Sequence, residues 1–251
     1  MKKLSIIALV LICSLSLLTA CKTGPEGSVT PTPTGTPNTA PAGNTEKPTP
    51  TLAPTPTPAS TPAPTETPNT PSVEGYQKGI LTETDFASEY LDLRFTLSGD
   101  GFVMATEEDM HEMMGLGAEI MDMDSKLLEY AKLTTVYEMM VSTIDGTTNV
   151  MVFSEKLSMR NLTVEQYCAA LIAQLEVVPN MDYEVEDEIV SVEVAGQSYE
   201  QVTTSTAAYG VTMVQKYLVR KLDDRIVGFI ITDATDTQDA QNTLMEGFSK
   251  Y

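Results

Sequence analysis

His111 is the only histidine of this 251-residue chain, and methionines crowd around it in sequence: Met104, Met110, Met113, Met114, Met121 and Met123. An imidazole with soft thioethers is a donor set for Cu(I). On a helix, however, Met110 and His111 stand about 100° apart and are badly placed to share one ion. Methionine is also an ordinary core filler. Glu184, Glu186 and Glu188 alternate with other residues and could line one face of an extended segment. Their oxygens suit Ca²⁺, but no EF-hand spacing accompanies them, and a solvated face is expected. Asp233, Asp236 and Asp239 form a second acidic set that helix capping explains. Cys168 sits among Tyr167, Leu171, Ile172 and Leu175 and reads as a buried structural thiol. As a nucleophile it would need a base, and His111 is the one imidazole available.

The chain carries no Gly-x-Ser-x-Gly elbow, His-Glu-x-x-His, Cys-x-x-Cys, P-loop or dinucleotide-binding glycine pattern. No catalytic, cofactor-binding or metal-binding residue is therefore assigned, and no cofactor is expected. Two alternatives stay open. An enzyme acting on envelope material through carboxylates needs no motif, and a metal-handling role would use the His111 cluster.

One cysteine has a defined chemistry. Met1-Lys2-Lys3 is followed by the apolar run Leu4 to Leu18 and then Leu18-Thr19-Ala20-Cys21. A basic start, a short uncharged core and small residues directly before cysteine match the bacterial lipobox. The expectation is a signal peptide over residues 1–20 and lipidation of Cys21. Thioether diacylation supplies two chains, enough for stable membrane attachment. Cys13 leaves with the signal peptide, so Cys168 is the one thiol left and no intramolecular disulfide is expected.

Residues 21–75 form the lipidated cysteine and a linker. Fourteen of the 15 prolines fall between Pro25 and Pro71, interleaved with threonine, and Val29, Leu52 and Val73 are its sizeable apolar residues. Such a segment buries too little surface to offset ordering entropy and favours polyproline II. At roughly 3.1 Å per residue it could reach on the order of 160 Å as a disordered tether. That spacing suits a lipid anchor on the outer face of a Gram-positive cell membrane, with the domain standing in the wall.

Residues 76–251 have the composition of one globular domain. Four basic and four acidic residues precede Tyr76, so the net charge of −20 belongs to this domain. An anionic body repels phosphate backbones, and nucleic acid is not an expected partner. The expected partners are the membrane, through the anchor, and an envelope protein or wall component.

The elements follow from periodicity. Leu91, Leu93, Phe95 and Leu97 alternate as in a strand, and Gly99-Asp100-Gly101 should turn the chain into a second strand at Phe102 to Met104. Thr106 can cap a helix that Gly115-Leu116-Gly117 should end or break. Leu133 to Thr143 and Asn149 to Lys156 read as a hairpin around Asp145-Gly146. Thr163-Val164-Glu165-Gln166 has the capping-box pattern before a helical apolar stripe. Strands are expected at Ile189 to Val194, Tyr199 to Thr206, Val211 to Leu222 and Arg225 to Thr232. A last helix, capped by Asp236, should carry Ala240, Leu244 and Phe248 on one face. Short connections make the sheet mainly antiparallel, with about three helices covering it. The expected class is α+β, a layered sandwich.

The strand Tyr90-Leu91-Asp92-Leu93-Arg94-Phe95, the helix Thr106 to Gly117, the Asp145-Gly146 hairpin and the strand pair Val211 to Thr232 together resemble clostridial-type lipoproteins. Their C-terminal domain has the PsbP-like α/β/α sandwich fold, shared with an extrinsic photosystem II subunit and a Ran-binding nuclear import factor. The resemblance implies that fold over residues 80–251. It implies no function, because the fold hosts unrelated roles. Relatives often place Pro and Trp in the first hairpin, where this chain has Ser98-Gly99 and Phe102. No functional residue carries over.

Overall fold

Every described position from Arg225 to Ala234 is buried, and the neighbours of that strand explain why. In the computed structural model, which describes residues 75–120, 123–179, 181–208, 211–234 and 238–251, it lies in the middle of an eight-stranded sheet. Twelve strands and four helices occur among these residues. The strands are β1 (Ile80–Leu81), β2 (Asp85–Ser88), β3 (Leu93–Thr96), β4 (Phe102–Met104), β5 (Thr135–Thr143), β6 (Thr148–Lys156), β7 (Tyr183–Val185), β8 (Val190–Val194), β9 (Gln197–Ala208), β10 (Val211–Leu222), β11 (Arg225–Ala234) and β12 (Phe248–Ser249). The helices are α1 (Glu107–Ile120), α2 (Ser125–Thr134), α3 (Val164–Leu175) and α4 (Gln238–Glu246).

The large sheet runs β4-β5-β6-β11-β10-β9-β7, with β8 also on β9; a small sheet runs β1-β2-β3-β12. Each strand pair is antiparallel. Because strand side chains alternate, β11 feeds two cores. Ile226 and Ile230 join Met151, Phe153, Tyr217 and Val219 under α1 and α3, which supply Met110, Met114, Cys168, Leu171 and Leu175. Val227, Phe229 and Ile231 face the small sheet and α4, meeting Phe86, Leu93, Phe95, Leu244 and Phe248. The result is the expected α+β class, layered and antiparallel. Strand β10 crosses so close to β11 that a Cβ at Gly228 would overlap the Leu218 carbonyl.

Several expectations are corrected. Helix α1 runs through Gly115 and Gly117 to Ile120. Met110, Met114 and Ala118, spaced by four, bury one stripe, and that packing outweighs the roughly 1 kcal/mol a helical glycine costs. Leu133 is not in a strand: it lies in α2, four-fifths exposed. Asp124 caps this helix, accepting from the Lys126 and Leu127 amides. Among the described residues there are four helices, where about three are expected, and the strands form two sheets. The Gly99–Gly101 turn does not close a hairpin. Strand β3 pairs with β2 and β12, whereas β4 pairs with β5, so the turn carries the chain from one sheet to the other. Phe248 leaves the helix for β12.

The capping box of α3 forms as expected, with Thr163 and Gln166 satisfying each other's amides. The hairpin β5–β6 turns at Asp145-Gly146, where Gly146 takes φ 74°. The signal peptide, the linker with Cys21, Met121, Tyr209 and the proposed cap Asp236 lie outside the described residues. Among the described residues no helix is long and apolar enough to cross a membrane.

Candidate functional site

Two strand edges from different sheets line one groove. Leu81 at the end of β1 and Thr82 and Glu83 in the turn after it face Phe102, Val103 and Met104 of β4 and Ala105, Thr106 and Glu107 around a volume of about 560 Å³. Leu97 completes the wall. Strand β1 ends the order of the small sheet and β4 that of the large one.

The register states which backbone groups of the lining residues point away from their own sheet. Non-hydrogen-bonded residues of an antiparallel pair point their N–H and C=O away from the partner. Gly101 accepts from the Ile144 amide at 3.0 Å and Ala105 donates to Met140 at 2.9 Å. By alternation Val103 bonds β5, while Phe102 and Met104 present N–H and C=O outward. On β1, the Thr82 amide donates to Asp85 at 2.8 Å, so Leu81, opposite Phe86, also points outward. The glycine turn before three apolar residues marks Phe102–Met104 as a strand, but an edge facing a second edge is a tertiary fact with no local signal.

The wall at β1 is held by a buried carboxylate. A register shift between Tyr137 and Met139 is a β-bulge that inserts Glu138, which is fully buried. Its two oxygens accept from Tyr76 Oη at 2.8 Å and the Gly79 amide at 2.9 Å. Burial raises the Glu138 carboxyl above its ordinary range, against the Gly79 and Tyr76 hydrogen bonds that lower it. The Arg225 guanidinium lies 3.6 Å from the Tyr76 ring centroid and donates to Ser154 at 2.9 Å. Tyr76 also meets Tyr90 edge-on at 5.3 Å, and burial pushes the Tyr90 phenol up to about 12.

On the other side of Glu107 is a smaller recess of about 120 Å³, where Met110, His111 and Met114 meet Lys78, Lys132 and Thr135. His111 Nδ1 lies 2.7 Å from the Glu107 carbonyl, an acceptor, so Nδ1 carries the proton in this contact. Lys78 Nζ binds the Glu107 carboxylate at 2.6 Å, and that hydrogen bond holds the carboxyl below its usual range. Of the described methionines of the sequence cluster, Met110 and Met114 line this recess with His111, and Met104 does not. Met110 and Met114 belong to the core under α1, whereas Met104 belongs to the core on the opposite face of the large sheet. Two ammonium groups beside His111 also disfavour a cation there.

The other sequence candidates are dispersed. Cys168 is completely buried, and burial pushes its thiol up to about 11. Glu184, Glu186 and Glu188 are exposed around β7. Asp233 is buried and accepts from Thr148 Oγ1 at 2.9 Å, while Asp239 is exposed on α4. Among the described residues no three His, Cys, Asp or Glu side chains gather as a metal-holding group.

No family model matches the chain, and no curated protein does. Among solved structures it is similar to cyanobacterial PsbP from Synechocystis sp. PCC 6803, at 12% identity, over 71% of this chain and 99% of that one, with a TM-score of 0.42. It is also similar to LpqN, involved in cell envelope biogenesis of Mycobacterium tuberculosis, at 14% identity and a TM-score of 0.28. That match covers 44% of this chain and 62% of LpqN, less than two thirds of its length. Neither likeness assigns a role to a residue of this chain.

Proposed function

We propose that the chain is a lipid-anchored protein of the cell envelope, with a PsbP-like layered domain that binds an envelope protein or wall component. Cys21 carries the acyl chains, the Thr/Pro-rich segment is the spacer, and residues 76–251 bind. The observation that supports binding is the groove between β1 and β4, open, lined by Leu81, Leu97, Phe102 and Val103, and flanked by unpaired strand edges. A concave apolar surface with a few oriented polar groups is the usual form of a recognition site. Catalysis by the thiol is disfavoured by its burial and raised pKa.

The test is a titration of the isotopically labelled chain with solubilised envelope protein and, separately, with soluble wall fragments. Binding through the groove shifts the amide resonances of Leu81, Phe102, Val103 and Met104. Shifts gathered instead at His111, Lys132 and Thr135, or none with either fraction, contradict the reading.

A further inference from the structure

The groove has a more specific chemistry than an apolar cleft. Its walls are two strand edges, and natural edges are usually blunted by lysine, proline or a covering element. Here Ile80-Leu81 and Phe102-Val103-Met104 carry none of these residues. Leu81, Phe102 and Met104 each present an outward N–H and C=O, by the register given above. Among the described residues none of these groups has a hydrogen-bond partner there. Two residues before Leu81, and so on the same side of the strand, the Gly79 amide is taken by Glu138 at 2.9 Å. That side of the strand therefore already donates one amide to a carboxylate just beyond the groove.

We propose that an extended, basic segment of a partner protein adds as a strand between β1 and β4, joining the two sheets. This rests on the binding reading of the same groove. Main-chain bonds to both edges give such a complex its affinity, and alternate side chains give its specificity. One set would enter the apolar wall of Leu81, Leu97 and Phe102. The charge of the other set follows from the rim. Glu83 lines one wall and Glu107 the other, and no lysine or arginine is among the lining residues. Glu107 is bound by Lys78, while Glu83 is exposed and forms no ion pair among the described residues. The surrounding domain carries the whole net charge of −20. That field attracts a cationic strand and opposes a second copy of this chain. A wall glycan has pendant groups but no extended peptide backbone whose N–H and C=O, at strand spacing, would answer Leu81, Phe102 and Met104.

The experiment uses the full chain and a synthetic, end-capped peptide, Lys-Val-Lys-Val-Lys-Val-Lys, with its Glu/Val counterpart as control. Amide hydrogen exchange is followed residue by residue. At saturating Lys/Val peptide, exchange at Leu81, Phe102 and Met104 slows by about tenfold or more, because a new strand protects those amides. Val103 is half-exposed, so its replacements keep the fold, checked by unchanged melting temperature and circular dichroism. Val103→Lys weakens the peptide by about tenfold or more, and Val103→Glu does not weaken it.

Binding without protection of these amides overturns strand addition and leaves a groove that binds side chains alone. Equal binding of the Glu/Val peptide overturns the basic partner and leaves the binding reading intact. Protection that rises with protein concentration without peptide overturns the proposal in favour of self-association. Failure of both peptides overturns it, and the envelope-fraction titration then decides the binding reading independently.

Discussion

Tyr76 donates its phenol hydrogen to the Glu138 carboxylate at 2.8 Å, across 62 residues of chain. The contact ties the first residues of the described domain to the bulge in β5. The Gly79 amide binds the other oxygen, so one carboxylate fixes both ends of the segment that leads into β1. The two-residue strand β1 pairs with β2 alone among the described strands, so without that latch one wall of the groove would loosen.

Tyr76→Phe keeps the ring under Arg225 and near Tyr90 but removes the hydroxyl. Glu138 then loses one of its two donors while it stays buried. The expected cost is about 1–3 kcal/mol of unfolding free energy, the penalty for a buried polar group left short of a partner. Urea denaturation measures it. A change below the error of the method would show that the latch contributes nothing.

Glu138 also makes a pH prediction with a definite sign. Burial raises its folded carboxyl pKa above the ordinary value of 4.5, so the folded state holds the proton more tightly than the unfolded chain. Its contribution to stability is therefore complete below the ordinary value and is lost as pH rises through the folded pKa. Glu138→Gln removes this titration. The unfolding free energy of the wild type minus that of the variant should fall as pH rises from about 4.5 and level off above the folded pKa. A difference that climbs with pH would mean that hydrogen bonding, and not burial, dominates the carboxyl.

Cys168 should behave as a core atom. With its thiol at about 11 and no exposed surface, it should react with a maleimide only as fast as the domain opens. Labelling therefore accelerates in step with unfolding across a urea series. Cys168→Ala should cost about 1 kcal/mol through the small void it leaves. Rapid labelling in the native state would revive the nucleophile reading.

On the proposed lipidation of Cys21, Cys21→Ala should move the protein from the membrane fraction to the soluble fraction of the cell, because both acyl chains would attach through that thiol. Fractionation after a salt wash reads this directly. Retention of the variant in the washed membranes would remove the lipid anchor from the account.

Long, well-punctuated elements were legible in the sequence, and those defined by distant partners were not. Helix α3 announces itself through Thr163 and Gln166, which reach back to each other, and through the stripe Tyr167, Cys168, Leu171 and Leu175. Strands β10 and β11 are long runs, the second largely apolar, and they meet at Asp223-Asp224, with Asp223 at φ 52° as a tight turn requires. Helix α2 was missed because it buries little, Ala131 and Thr134, so its apolar pattern is faint and Asp124 was its one strong signal. Phe248 follows Leu244 at helical spacing, yet Gly247 ends the helix, and its missing side chain leaves room for the Phe95 ring. The division into two sheets depends on β3 choosing β12 over β4, a pairing of opposite ends of the domain. The groove inherits that illegibility. Phe102–Met104 is visible as a strand, but its free edge has meaning only once β1 stands across from it.

The central claim is that this domain acts by binding an envelope partner in the groove between β1 and β4. The direct measurement is recovery of partners from solubilised envelope by the wild-type chain, by Val103→Lys in the groove, and by Leu133→Lys on the exposed face of α2. Both variants alter exposed residues and should unfold within about 0.5 kcal/mol of the wild type. The account predicts that a discrete envelope component is retained by the wild type and by Leu133→Lys and is lost with Val103→Lys. Equal recovery by all three chains would place binding outside the groove and contradict the account.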